Sequence, residues 1–258
     1  MTSTATADAI VERDGQVLTV TINRPDQRNA MTLAAGEIIA AAVDELDSDP
    51  ELYVAIITGA GKSFCAGMDL KRFLAGERPS IPGRGFGGIT QRLPHKPLIA
   101  AVEGHALAGG FEMVLACDLV VAGQSATFGL PEVRRGLVAR AGGLIRLPRR
   151  LPRAIALEMI LTGESMAAER AATFGLVNRV VPDGQALAVA KELAGTIAAN
   201  APLAVAGSKR VVVESAEWPE AEWFTRQDPI VTPIFDSDDA REGASAFAEK
   251  RAPVWRYR

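Results

Sequence analysis

The chain has 258 residues, with 28 basic against 31 acidic side chains and a formal net charge of −3. Because 48% of the residues are hydrophobic, a disordered or fibrous chain is excluded and a large buried core is expected. The charges are spread along the chain, so no basic or acidic block indicates a nucleic-acid or membrane partner. Seven arginines between Arg134 and Arg153 form the one local concentration, which fits either an anionic ligand or a solvated helix surface.

Two cysteines and two histidines are too few for a disulfide framework or a zinc site of the usual ligand count. The first eight residues lack the basic flank and apolar run of a signal peptide, and no segment reaches the roughly 18 apolar residues of a membrane span. We therefore expect a cytoplasmic protein in a reducing compartment.

The chain up to Pro182 is predicted to alternate strands and helices. Residues 10–22 predict a β-hairpin that turns at Asp14-Gly15, and residues 32–46 predict a helix capped by Thr32. Short apolar runs predict buried strands at residues 52–58, 97–102, 118–122 and 176–181. Glycine loops and helical patterns follow the first two of these strands. The pattern therefore indicates β-α units with a sheet covered by helices.

The second half is predicted to be helical, at residues 185–199, 202–215, 219–235 and 238–250. Four closely spaced amphipathic helices fit subunit association and fit packing on the same chain equally well.

Residues 76–88, with two prolines and five glycines, are predicted to form a mobile loop or lid that does not pack.

Two motifs fail on their context, and a third is absent. The letters GRGFGG at residues 83–88 match a dinucleotide fingerprint, but prolines rather than a strand precede them. Gly61-Lys62-Ser63 ends like a phosphate-binding P-loop, but Ile56 occupies the position of its first glycine. No GxSxG elbow is present for a serine hydrolase, so the chemistry is sought among carboxylates and backbone groups.

Two loops of small residues lead into predicted helices, at residues 63–70 (SFCAGMDL) and 105–112 (HALAGGFE). Backbone N–H groups at a helix start have no intrahelical acceptor and suit a developing oxyanion, although ordinary β-α turns look the same. Glu112 lies in the apolar run FEMVLA, and Glu132 follows Pro131 in FGLPE. Two carboxylates in an apolar pocket suit proton transfer, whereas the alternative is that they cap a helix or pair with Arg134 or Arg135.

At these residues the chain resembles the crotonase superfamily, also called the enoyl-CoA hydratase/isomerase family. The matching segments are TINRPDQRNA (21–30), ITGAGKSFCAGMDL (57–70), KPLIAAVEGHALAGGFEMVLACDLVVA (96–122), FGLPEVRRGLVARAGG (128–143) and AREGASAFAEKRAPVW (240–255). Together they span nearly the whole length, and their order is strongly specific.

The resemblance implies an α/β fold, a spiral of ββα units, with a C-terminal helical module that forms a homotrimer or a dimer of trimers. The core would be residues 1–200 and the oligomerisation module residues 201–258. The expected partner is an acyl-CoA thioester. Coenzyme A would be part of the substrate, with no metal or redox cofactor and no nucleic-acid or membrane partner.

The resemblance also implies site residues. The oxyanion donors would be the N–H groups of Met68 and Gly109. Glu112 would deprotonate a water that attacks C3 of a 2-enoyl-CoA, and Glu132 would deliver a proton to C2. Retention of both glutamates favours a hydratase over a double-bond isomerase, and residues 64–71 are also similar to the carnitinyl-CoA dehydratase branch. A non-enzymatic RNA-binding role is disfavoured by the net charge of −3.

Contacts with coenzyme A are implied for residues beside the first donor and in the last helix. They are Arg28, Ala30, Ala66, Asp69, Leu70, Lys71, Phe247 and Lys250. The chain departs from the family pattern at Ala139 and Arg140, which stand where a proline and a glycine are usual. Arg140 keeps the backbone N–H but adds a charge, so it either favours a polar or charged acyl group or points to solvent.

Overall fold

The computed structural model describes residues 7–258. Its strands are β1 (Ala9–Asp14), β2 (Val17–Ile22), β3 (Val54–Gly59), β4 (Ser80–Ile81), β5 (Gly85–Phe86), β6 (Leu98–Val102), β7 (His105–Leu107), β8 (Leu119–Gly123), β9 (Thr127–Gly129), β10 (Met166–Ala167) and β11 (Arg179–Val181). Its helices are α1 (Leu33–Ser48), α2 (Leu70–Leu74), α3 (Gly109–Ala116), α4 (Gly143–Arg150), α5 (Arg153–Thr162), α6 (Ala168–Thr173), α7 (Ala186–Ala198), α8 (Pro202–Glu214), α9 (Trp223–Phe235) and α10 (Asp238–Glu249).

A six-stranded sheet in the order β1-β2-β3-β6-β8-β11 forms the centre of the fold. The β1-β2 hairpin is antiparallel, and its two-residue turn is Gly15-Gln16, one residue later than the predicted Asp14-Gly15, because Asp14 still pairs with Val17. The remaining pairs are parallel. Every residue of β6 is buried, which explains its continuous apolar sequence LIAAV. The predicted strands and the helix capped by Thr32 are thus present, with ends shifted by a few residues.

The two faces of this sheet pack on different helices. In β3, Val54 and Ile56 join an apolar cluster with Ala190 and Ala194 of α7. The alternate residues Ala55 and Ile57 belong to the larger core on the other face. This alternation is the two-residue period of a strand that is buried on both sides.

A second, three-stranded sheet in the order β10-β9-β7 carries the turns of interest. β7 runs parallel to β9, and a parallel bridge from Cys65 to Ala106 places the chain around residue 65 alongside β7. The carboxyl ends of these three parallel segments therefore lie at one edge. Residues 66–69, helix α3 and the turn that follows β9 all start there.

The C-terminal helices follow the prediction closely, except that α9 begins at Trp223 because Glu220–Glu222 form a short 3₁₀ turn. Helix α8 packs on α9, and several large apolar side chains of this region are exposed, among them Phe224, Phe235 and Phe247. The division of the chain after residue 200 stays a prediction. Within residues 7–258, no helix combines the length and hydropathy that crossing a membrane would need.

The prediction that residues 76–88 do not pack was wrong for their second half. β4 and β5 form a small hairpin, and Arg84 and Phe86 are buried. The Arg84 guanidinium pairs with Asp44 of α1 at 2.7 Å and donates to the carbonyls of Ala40 (2.8 Å) and Gly88 (3.3 Å). These contacts fix the segment against α1, even though its composition is typical of a loop.

Candidate active site

The first turn, residues 66–69, is held by a bridge between Met31 and Met68. Met31 donates its N–H to Gly67 (2.8 Å) and accepts from Asp69 (3.2 Å). Within residues 7–258, no backbone or side-chain acceptor takes the N–H of Met68. This N–H is therefore available to a bound group at the edge of the site.

The second turn enters α3 through Ala108, which has φ +51° and ψ −128°. Positive φ is uncommon for alanine and costs free energy, and such strained residues cluster at functional sites. The turn is fixed because the Ala108 N–H donates to the carbonyl of Gly129 at 2.9 Å. Gly109 is the first residue of the helix, so its N–H has no intrahelical acceptor.

The two turns touch each other. A Cβ added to Gly67 would lie 2.8 Å from the Cβ of Ala108 and 3.6 Å from the backbone nitrogen of Gly109. A Cβ at Gly109 would overlap the ring of Phe86 from the β4-β5 hairpin. Gly67, with φ +97°, has no room for a side chain, and a side chain at Gly109 would have to displace the ring of Phe86. The structure thus brings the predicted donors Met68 and Gly109 to one place.

Glu112 lies in the first turn of α3 and is buried among apolar residues. Its Oε1 accepts two backbone hydrogen bonds, from Ala141 (2.7 Å) and Gly143 (2.8 Å). Burial raises the pKa of Glu112, while these two N–H donors and the charge of Arg146 oppose the rise. The donors hold the carboxylate in one orientation and favour its anionic form.

Glu132 lies in the 3₁₀ turn Pro131–Arg135 that follows β9. Burial is the main cause that raises its pKa to about 7, and the negative charge of Glu112 adds to the rise. Its Oε2 is buried without a hydrogen-bond partner among the described residues. Among the described residues, Glu132 forms no ion pair with Arg134, which pairs with Glu164, or with Arg135, although the charge of Arg135 lowers the pKa of Glu132.

The implied coenzyme A contacts beside the first donor form one rim. The carbonyl of Arg28 accepts from Ala66 (3.0 Å), and Ala30 precedes Met31. Leu70 and Lys71 are exposed at the start of α2. These residues lie together, and their contacts with coenzyme A stay a prediction.

Asp69 and the two residues of the last helix behave differently. Asp69 caps α2 by accepting from the N–H groups of Lys71 and Arg72, and its carboxylate pairs with Arg24 at 3.0 Å. Phe247 is 88% exposed on α10, and Lys250 ends that helix with φ +53°. No hydrogen bond or ion pair of the described residues joins either of these two to the rim.

Arg140 is exposed in the segment just before Ala141. The arginines of residues 134–153 were expected either to face an anionic ligand or to form a solvated helix surface. As a group they do neither. Arg149 is exposed and pairs with Glu217, whereas Arg146 and Arg150 are partly buried and donate to backbone carbonyls. The sequence analysis did not identify Arg146 or Phe86 as neighbours of the site. The concentration of arginines was a signal for Arg146 but not for Phe86.

Comparison with known proteins places the chain in a family. A family model described as enoyl-CoA hydratase/isomerase matches residues 12–258. An enoyl-CoA hydratase of Mycobacterium tuberculosis is 45% identical, with 97% of each chain covered. A carnitinyl-CoA dehydratase of Salmonella typhi is 44% identical over 95% of this chain and 97% of the relative. The crystal structure of an enoyl-CoA hydratase from Mycobacterium marinum has a TM-score of 0.96 at 53% identity, with 98% of this chain and 100% of that chain covered.

These similarities extend over almost the whole length, and the agreement in structure confirms the predicted α/β spiral. The motifs that suggested the resemblance are therefore parts of one shared fold. The chain belongs to the enoyl-CoA hydratase/isomerase family, the crotonase superfamily.

Proposed function

We propose that this protein is an enoyl-CoA hydratase, which reversibly adds water to trans-2-enoyl-CoA to give 3-hydroxyacyl-CoA. Its family and its relatives make it a hydro-lyase that acts on acyl-CoA thioesters. The observation that carries the finer assignment is the glutamate pair. The buried Glu112 and the partly buried Glu132, with different hydrogen bonding, lie at the edge where the two N–H groups of the glycine turns meet.

In this assignment the N–H groups of Met68 and Gly109 bind the thioester oxygen. As water attacks C3, the electrons of the double bond move toward C2 and the carbonyl, and negative charge develops on that oxygen. Donors fixed by folding stabilise this charge without reorganisation. Removal of one such donor in other enzymes costs about 3 kcal/mol of transition-state stabilisation.

Glu112 is assigned as the base and Glu132 as the acid. Glu112 takes a proton from water as the C3–O bond forms, and its two N–H donors favour the anionic form that this step needs. Glu132 gives its proton to C2, which is supported by a pKa raised to about 7 through burial. The proton must then pass from Glu112 to Glu132 before the next turnover, so the two titrate as a pair.

The acyl group is the less constrained part of the assignment. One relative is a carnitinyl-CoA dehydratase, whose name implies an acyl chain with a quaternary ammonium group. Such cations are bound by aromatic faces or carboxylates, and an arginine nearby would repel them. Arg140 therefore favours a neutral or anionic acyl chain if its charge reaches the pocket.

The proposal extends to the rest of the substrate and to assembly. Arg28 and Lys71 on the rim would contact the phosphates of coenzyme A, and the reaction draws on no metal or redox cofactor. Phe247 and Lys250 would complete the site of a neighbouring subunit in a homotrimer or a dimer of trimers. The exposed apolar side chains of α9 and α10 support this assembly, and a light-scattering mass equal to one chain would contradict it. The cytoplasmic location stays a prediction from cysteine usage.

The test is hydration of crotonyl-CoA, followed by the loss of absorbance of the conjugated enoyl thioester and by mass. Wild type and Glu164→Gln, which changes an exposed glutamate, should both give 3-hydroxybutyryl-CoA. Glu112→Gln and Glu132→Gln should each lose at least about 10²-fold in kcat while still binding the thioester. Near-normal activity of Glu132→Gln would refute the acid assignment. Conversion of 3-enoyl-CoA to 2-enoyl-CoA, without any hydroxyacyl product, would favour an isomerase.

A further inference from the structure

A buried guanidinium lies behind the turn that holds Glu112. Arg146, in α4, donates Nη2 to the carbonyl of Thr90 at 2.7 Å and Nη1 to the carbonyl of Ala141 at 3.3 Å. It also occupies the space beside Gly142, where a Cβ would overlap the guanidinium. Gly142 has φ +108°, so the arginine packs against a backbone that only glycine adopts without strain.

Ala141 connects this arginine to Glu112. Its carbonyl accepts from Arg146, and its N–H donates to Glu112 Oε1 at 2.7 Å. The same turn supplies the second donor, Gly143. A change at Arg146 therefore reaches Glu112 in two ways, through the position of the turn and through the loss of a nearby positive charge.

The charged and titratable groups around Glu112 and Arg146 lie on the 3₁₀ turn, on α4 and at the end of α3. Glu132 lies on the 3₁₀ turn, and the negative charge of Glu112 raises the pKa of Glu132. The charge of Arg146 opposes the rise that burial causes in the pKa of Glu112. Arg149 and Arg150 lie on α4 beside Arg146, and Cys117 follows the end of α3. Arg146 is the arginine whose charge acts on Glu112, while Arg135 acts on Glu132.

We propose that Arg146 is a positioning residue for the reaction, which keeps Glu112 anionic and correctly oriented by bridging Thr90 and the 141–143 turn. This inference rests on the proposed function, because it takes Glu112 to be the base. It adds a residue that does not touch the substrate and that acts through Glu112. The bridge and the charge make separate contributions, and two substitutions separate them.

Arg146→Gln removes the charge, and Arg146→Lys keeps it while losing the two-pronged bridge. Without the charge, the pKa of Glu112 rises, so the base is protonated at a higher pH and the acid limb of kcat/KM moves up. We expect the loss caused by Arg146→Gln to be about threefold or more larger on the acid limb than at the pH optimum of wild type. Arg146→Lys should lower the plateau of kcat but leave the acid limb where wild type has it. Arg149→Gln, which removes an exposed charge from the same helix, should change neither.

A uniform loss in Arg146→Gln, with the acid limb unmoved, would overturn the electrostatic part of the proposal. An acid limb that moves in Arg146→Lys as well would overturn it even if the glutamine variant does not fold. A second readout is independent of turnover, namely ¹³C NMR titration of labelled glutamate in the Glu132→Gln background. The signal that Glu112→Gln abolishes should titrate at higher pH when Arg146→Gln is added. If wild type does not hydrate crotonyl-CoA, the proposed function fails, but this titration still decides whether Arg146 acts on Glu112.

Discussion

The buried contacts of Arg84 give the clearest quantitative prediction. Its guanidinium donates to Asp44 and to the carbonyls of Ala40 and Gly88, and the residue is only 7% exposed. Arg84→Ala would leave both carbonyls short of a donor and empty the space of a buried aliphatic stem. Asp44 is half exposed and regains water, so the ion pair itself adds little. We expect the unfolding free energy to fall by about 3 kcal/mol, from the loss of a charged donor to two buried carbonyls and the loss of the packing of the aliphatic stem.

Arg92→Ala is the matched control, because Arg92 pairs with the same Asp44 carboxylate at 3.6 Å from an exposed position. This control should lose less than about 0.5 kcal/mol. Urea unfolding of both variants at one protein concentration measures the difference, since association would shift apparent stability. If the two variants agree within about 0.5 kcal/mol, the reasoning that this segment is anchored by Arg84 is wrong.

Two further predictions concern the site. Gly109→Ala should lower kcat by about 10²-fold, because its methyl group overlaps Phe86 and displaces an oxyanion donor; adding Phe86→Ala removes the overlap and should recover part of that kcat, and a double variant as slow as Gly109→Ala would contradict this reasoning. The kcat/KM for hydration should decline as pH rises through about 7, because Glu132 must be protonated in the free enzyme to act as the acid; a profile that stays flat to pH 9 would exclude that role.

Local signals predicted much of the fold. Gly15 with φ +55° begins the two-residue hairpin turn, one residue later than predicted, and Thr32 accepts from the N–H of Ala35 as the cap of α1. The central strands follow from continuous apolar runs, because both faces of the sheet are covered. The glutamates and the glycine turns were placed by their motifs, and the structure brings these motifs to one edge.

The remainder depends on contacts that sequence patterns do not encode. Arg84 reaches Asp44 across 40 residues, and Arg146 reaches Thr90 across 56 residues. Glycine and proline made residues 76–88 look like a loop, yet one buried arginine decides how the segment packs. The sequence has seven arginines between residues 134 and 153, and it gave no sign of which one would lie near a carboxylate.

The difference between the two glutamates resides in the backbone rather than in the side chains. Both carboxylates are desolvated, but the Ala141 and Gly143 N–H groups reach Glu112 alone. A single proton shared by the pair therefore favours Glu132, which is the arrangement that hydration needs at the start. Dehydration needs that same proton on Glu112 at the start. Both directions therefore require a singly protonated pair, and their rates are limited by the same two pH limbs. The 141–143 turn thus sets which direction begins from the more populated state. The Arg146 guanidinium, through Ala141, helps to hold that turn in place, together with the N–H groups of Ile145 and Arg146 that donate to Gly142.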